Sequence, residues 1–196
     1  DDSGNGNDGT ITGAQWTSQS RVGNALLFDG DDMVDFGDAD FGIEAENAFS
    51  LCFFFRYEGD PGGALLRRGL YAYPFSLTLT GDGHLYGIVR TTSGTTHGLG
   101  QTRLSSDRWY HCVLTCGQGQ RVIYVDGEVD QVSPISGNLV VSAGQRLMMG
   151  EGYSGLIDEV RLYNRVLSAQ EAAVLAAGGE LLRDPEINPA GAYSNQ

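Results

Sequence analysis

Oxygen ligands are the chemistry that this sequence concentrates. In "GLIDEVRLYN" (155–164), Asp158 and Glu159 sit inside a run whose Leu156, Ile157, Val160 and Leu162 read as a buried strand. An ionised carboxylate withdrawn from water is costly unless something compensates it. Arg161 is close, but three residues along a regular strand places it on the other face. A hard divalent cation suits the position better, because Ca2+ gathers carboxylate, amide, backbone and water oxygens. Two further stretches are rich in such oxygens, "FDGDD" (28–32) and "SGNGNDG" (3–9). The competing explanation is that the aspartates cap turns by accepting backbone N–H groups, as Asp before Gly often does.

A second group of residues suits ligand contact. "RRGLYAYP" (67–74) brings Arg67, Arg68, Tyr71 and Tyr73 into one short irregular stretch, offering bidentate donors and aromatic platforms to an acidic or neutral glycan. "TTSGTTHGLG" (91–100) reads as a polar loop with His97 near its centre, and Tyr153 in "GEGYSG" is a further exposed-aromatic candidate. Both loops are equally compatible with plain solvation. The three cysteines, Cys52, Cys112 and Cys116, do not have zinc spacing: Cys112 and Cys116 share a strand-like run without a second ligand pair.

The elements that must carry these residues read as strand after strand. "ALLFDG", "DMVDFG", "FSLCFFFRY", "FSLTLTGDGHLYGIV", "WYHCVLTC", "RVIYVDGEVDQV" and "RLMMG" follow one another at spacings typical of a sandwich or barrel. Asp-Gly in "LTGDGHLYG" and "IYVDGEVD" supplies the positive φ angles of tight hairpin turns. Phe49, Leu51, Phe53 and Phe55 alternate with Ser50, Cys52, Phe54 and Arg56, giving one wholly apolar face and one mixed face. One helix stands out, "SAQEAAVLAAGG", with Ser168 and Glu171 as a capping box and Gly178 and Gly179 as its stop. Residues 1–180 are expected to form one domain, and 181–196, with two prolines, a tail or linker.

Composition narrows the class. The 196 residues hold 29 glycines, and the formal net charge is −13, with arginine supplying all 12 cationic side chains. So acidic a chain repels phosphate backbones, which argues against nucleic-acid binding. No apolar run is long enough for membrane insertion, and the start "DDSGNGNDG" has no signal-peptide pattern, as expected of a mature or excised fragment. The absence of lysine fits either a salt-adapted source or a GC-rich genome.

In order and spacing, "GNALLFDGDDMVDFG", "FSLCFFFRY", "RWYHCVLTC", "IYVDGEV" and "GLIDEVRLYNRVLSAQE" resemble the laminin-G-like jelly-roll family of the concanavalin A-like lectin/glucanase class, and the opening "DDSGNGNDGTITGAQW" resembles its leader. The resemblance spans about residues 1–178. It implies an all-β, two-sheet antiparallel sandwich with a short helix near the end. It also implies a structural calcium joining the two ends of the chain, with Asp29 and Asp158 as side-chain ligands and Asn7 and Gly30 as weaker candidates. "FSLC" and "HC" resemble the paired cysteines of pentraxins, which implies a Cys52–Cys112 bridge; Cys52–Cys116 and three buried free thiols are the alternatives. Trp109, Tyr110 and His111 fall where the family starts a core strand, and Trp16 is expected to pack over the sandwich edge.

Enzymes of this class carry a strand motif of alternating carboxylates, Glu-x-Asp-x-x-Glu or Glu-x-Asp-x-Glu, that brackets one sugar. The nearest match, Glu128 and Asp130 in "DGEVDQV", lacks the third acid. A lyase-type Tyr/His pair is not identified by any spacing among His84, Tyr86 and His97. The expected function is therefore non-catalytic recognition, of a carbohydrate first, by a module of a larger secreted or cell-surface protein. A protein-binding or adhesion domain is the alternative, and a hydrolase or lyase on the same fold comes third.

Overall fold

The computed structural model describes residues 6–38, 41–69, 74–140 and 144–181. In chain order the elements are β1 (Thr10–Thr12), β2 (Gln15–Thr17), β3 (Ala25–Asp29), β4 (Met33–Asp35), the single-turn α1 (Ile43–Glu46), β5 (Phe49–Tyr57), β6 (Ala64–Arg68), β7 (Phe75–Leu79), β8 (Leu85–Thr91), β9 (Gly94–Leu99), β10 (Tyr110–Gly117), β11 (Gln120–Val125), β12 (Glu128–Pro134), β13 (Leu147–Met149), β14 (Ser154–Tyr163) and α2 (Ala169–Ala176). They form two antiparallel seven-stranded sheets, in the orders β1-β4-β13-β6-β7-β8-β9 and β12-β11-β10-β5-β14-β3-β2. This is the expected all-β sandwich. Residues 182–196 lie outside the described part of the chain.

Strand alternation builds the core. Phe49, Leu51, Phe53 and Phe55 of β5 face inward together with Leu66, Phe75, Leu77, Val89, Cys112 and Leu114. The outer face of the second sheet carries a smaller apolar cluster, Cys52, Val113, Val122, Tyr124 and Tyr163, which α2 covers with Ala172 and Leu175. Helix α2 begins as the sequence requires: the Ser168 side chain accepts the Glu171 N–H, and the Glu171 carboxylate accepts the Ser168 N–H. The β11–β12 turn uses Asp126 and Gly127 at φ 50° and 85°, as the Asp-Gly signal requires.

The disulfide expectation is overturned, because all three cysteines are free thiols. Register explains why. Cys52 pairs with Val113, whereas Cys112 pairs with Phe53 and Cys116 with Phe49. Neighbouring residues of a strand point to opposite faces, so Cys52 looks out toward α2 while Cys112 and Cys116 look into the core. Neither Cys52 pairing has the approach a disulfide needs. Burial pushes the Cys52 and Cys116 thiols up to about 12, despite an opposing effect of Arg161 and Arg121 respectively. Reducing agent is therefore expected to leave the melting temperature unchanged, and a thiol reagent to label the cysteines only after denaturation; a fall of more than about 5 °C on reduction, the scale of a lost disulfide in a domain this size, would contradict this assignment.

Candidate functional site

Asp158 is only 4% exposed, and its partners are backbone amides. One carboxylate oxygen accepts the N–H groups of Arg21 and Val22 at 2.7 and 2.9 Å, and the other accepts the Glu159 N–H at 2.8 Å. The segment between β2 and β3 is thereby fastened to the middle of β14. The expectation that Arg161 faces away also fails. Asp158 pairs with Phe54 and Arg161 with Cys52, so three steps along β14 match two along β5. This bulge, with Glu159 at φ 53°, returns Arg161 to the face of Asp158, where it pairs with Glu159 at 2.6 Å.

His111, Phe54 and Asp158 form one cross-strand row over β10, β5 and β14 on that outer face. Arg21 closes over the row, its guanidinium carbon 5.0 Å from the Phe54 ring centre. The His111 ring lies 4.7 Å from that of Phe54 and is 3% exposed. Burial, with help from the cationic Arg161 and Arg21, holds its imidazole down to about 4. The expectation of a structural role for "RWYHC" agrees with this packing: Tyr110 is buried and its hydroxyl accepts the Ser105 N–H at 2.9 Å.

Asp29 does not meet Asp158. Asp29 lies opposite Ser154, while Leu26 lies opposite Ile157, so the two aspartates are about four positions, roughly 13 Å, apart along paired strands. Instead Asp29 converges with Asp31 and Asp32, whose carboxylate oxygens all lie within 4.8 Å of one another. Ions with Ca–O distances of about 2.4 Å bring their ligands to such separations. Asp32 is buried and accepts the Asp29 N–H at 2.9 Å; Asp31 is exposed, and its carboxyl is raised by its hydrogen bond to Asp29 and by the charges of Asp29 and Asp32. Gly30, at φ 110°, lets the chain double back between these aspartates. The sequence showed the acids; only the fold shows that Asp31 and Asp32, not Asp158, share space with Asp29.

The glycan-loop expectation is redrawn. Arg67 and Arg68 belong to strand β6 and point to opposite sides. Arg67 pairs with Ser76 and Met148 on the outer face of the first sheet, where it donates to Gly69 O at 3.2 Å and ion-pairs with Glu151. Arg68 is aligned with inward-facing Phe75 and Leu147, donates to Asp38 O at 3.2 Å, and lies 5.8 Å from the Phe41 ring centre. Tyr71 and Tyr73 lie outside the described residues. His97 is in strand β9, not in a loop, exposed on the same outer row as Arg67, with its ring 6.0 Å from that of Tyr86. Tyr153, expected at the surface, is fully buried and packs edge-on to Phe28 at 6.3 Å.

At the β1–β2 edge the two sheets part around a cavity of about 320 Å3. Inward residues Leu26, Leu51, Leu66, Met149, Ile157 and Leu162 line it, and Asn7, Asp8, Asn24, Asp158 and Glu159 add polar and acidic groups to its lining. Trp16 also lines this space and is 66% exposed, against the expectation that it packs over the edge.

Two antiparallel seven-stranded sheets packed as a sandwich, with one short helix near the end, define a jelly roll of the concanavalin A-like class. Residues 28–173 match the laminin-G type 3 family description, "Concanavalin A-like lectin/glucanases superfamily", and the chain belongs to that family. No curated protein matches the sequence. Among solved structures, domain 4 of AbnA, a GH43 extracellular arabinanase from Geobacillus stearothermophilus in complex with arabinotriose, superposes with TM-score 0.69 at 19% identity, over 86% of this chain and 87% of that one. The binding domain of Paraclostridial Mosquitocidal Protein 1 gives 0.68 at 15% identity, over 89% of this chain and 48% of that one. A pentraxin from Limulus polyphemus gives 0.54 at 15% identity, over 66% of this chain and 70% of that one. At these identities the likeness is one of fold, and the pentraxin cysteine pair does not accompany it.

Proposed function

We propose that this chain is a non-catalytic carbohydrate-recognition module of a larger extracellular protein. The observation that carries the reading is the near whole-length correspondence, in both directions, with an arabinanase domain seen holding arabinotriose. The disposition of the acids supports it: Asp158 is tied to backbone amides, Asp126 to Arg108 and the His111 N–H, Asp35 to Arg146, and Glu171 to Arg165 and the helix cap. Catalysis by two carboxylates needs a free pair facing one sugar, and the convergence of Asp29, Asp31 and Asp32 is assigned to an ion. A protein-interaction or adhesion role is the second reading, favoured by the fold likeness to the binding domain of Paraclostridial Mosquitocidal Protein 1 and to the receptor binding domain of botulinum neurotoxin D. No helix among the described residues is long and apolar enough to cross a membrane.

A glycan array, followed by affinity electrophoresis on the retained polysaccharides, tests the first reading. Retention without release of reducing ends is the expected result; turnover would make the chain an enzyme, and retention of receptor proteins alone would favour the second reading.

Calcium at Asp29, Asp31 and Asp32 is the metal part of this proposal. At a calcium concentration about 100 times Kd the ion stabilises the fold by about 2.7 kcal/mol, a rise of several degrees in melting temperature. EDTA should reverse the rise, and Asp31→Asn should abolish it. A melting temperature indifferent to both ion and chelator would rule the ion out.

A further inference from the structure

One inward-facing row crosses five strands of the second sheet: Trp16 on β2, Leu26 on β3, Ile157 on β14, Phe55 on β5 and Tyr110 on β10. Every member is buried except Trp16, which the register aims at the core yet leaves 66% in solvent. The reason is topological. Strand β2 is the last of its sheet, and the facing edge strand β1 presents only Ile11, itself 38% exposed, so among the described residues nothing covers the indole. Beneath it the cavity of about 320 Å3, apolar along Leu26, Leu51, Leu66 and Met149 and acidic at Asp158 and Glu159, runs inward to side chains that are themselves almost fully buried.

Close-packed interiors leave few voids larger than a water molecule, so an opening of this size between the two sheets is unusual. A cavity of about 150 Å3 already admits benzene in another protein. The present one has room for an aryl ring or a short acyl chain. Its entrance differs from its floor: Asn24 and Asp8, both exposed, and Asn7 supply amide and carboxylate groups beside the indole. An exposed indole face with neighbouring amides suits the C–H face and hydroxyl edge of a sugar ring. The net charge of −13 and Asp8 at the entrance disfavour an anionic headgroup.

We infer that the β1–β2 edge is a binding subsite for uncharged saccharides carrying an apolar substituent, with the sugar stacked on Trp16 and the aryl or acyl group inserted in the cavity. The inference rests on the carbohydrate-recognition reading and specifies its ligand class and place.

The test uses isothermal titration with three probe sets: unsubstituted mono- and oligosaccharides, their p-nitrophenyl and n-octyl glycosides below the micelle concentration, and benzyl alcohol and n-octanol without sugar. The substituted glycosides should bind at least tenfold more tightly than the bare sugars and than the alcohols. Trp16→Ala, at an exposed edge position, should remove at least tenfold of that affinity while leaving the circular dichroism spectrum and melting temperature unchanged. Leu66→Phe, which fills the cavity, should remove the preference for the apolar substituent without lowering affinity for the bare sugar. Equal binding of bare and substituted sugars, or a preference that survives Trp16→Ala, would overturn the subsite while leaving carbohydrate recognition standing. Binding of the alcohols as tightly as the glycosides, or of no probe at all, would overturn it too; the glycan array separately decides the broader reading.

Discussion

Replacing Asp158 with alanine is expected to lower the unfolding free energy by about 3–5 kcal/mol, one of the largest single-residue effects in this domain. Three backbone N–H groups, those of Arg21, Val22 and Glu159, lose their acceptor at once. Each such loss in a buried or half-buried setting costs about 1–2 kcal/mol. Val22 and Arg21 are 136 and 137 residues away in sequence, so the carboxylate closes a long loop as well as satisfying donors. Asp158→Asn keeps one oxygen acceptor and places an NH2 group against a donor, and about half the loss is expected. Urea denaturation with an unchanged m-value measures the effect, and hydrogen exchange should show the amides of residues 21 and 22 released from protection. A loss below about 1 kcal/mol would mean that the amides find other partners. Because Asp158 stands about 13 Å from Asp29, the response to calcium should be the same in Asp158→Ala as in the parent protein.

The second large expectation concerns pH. His111 is held down to about 4 in the folded chain, chiefly by burial and then by Arg161 and Arg21, whereas an unfolded histidine titrates near 6.5. The unfolded state therefore binds the proton first as pH falls. Stability is full above about pH 6.5, declines through the window from 6.5 to 4, and the contribution is gone below about 4. At about 1.36 kcal/mol per pKa unit, the loss across this window is on the order of 3 kcal/mol. Chemical denaturation at half-unit steps from pH 7.5 to 4 reads the slope. His111→Phe, which keeps an apolar ring beside Phe54, should flatten it; an equally steep slope in that variant would transfer the effect to other groups.

Much of the architecture was legible in the residues. Alternation along Phe49–Phe55, the Asp126–Gly127 turn and the Ser168–Glu171 box act over two to four neighbours, and each produced the element it predicts; at Asp82–Gly83 the hairpin forms with a positive φ at Gly83 and not at Asp82. The failures share a different cause. Cys52 and Cys112 look like partners until the register sets one against Val113 and the other against Phe53. Arg161 leaves its expected face because one bulge at Glu159 adds a residue. Tyr153 and Trp16 exchange their expected environments, since the same aromatic ring is buried in mid-sandwich and bare on the last strand.

The sequence by itself determined a succession of strands, a capped final helix and an acid-rich "FDGDD" turn, because those features follow from local alternation, turn stereochemistry and charge placed within a few residues, while the two-sheet sandwich is what the family resemblance implied. Tertiary structure alone decided which oxygens meet, that Asp158 is answered by Arg21 and Val22, and that Trp16 overhangs a cavity. Strand pairing joins residues more than a hundred positions apart, and a one-residue change of register moves every side chain to the other face.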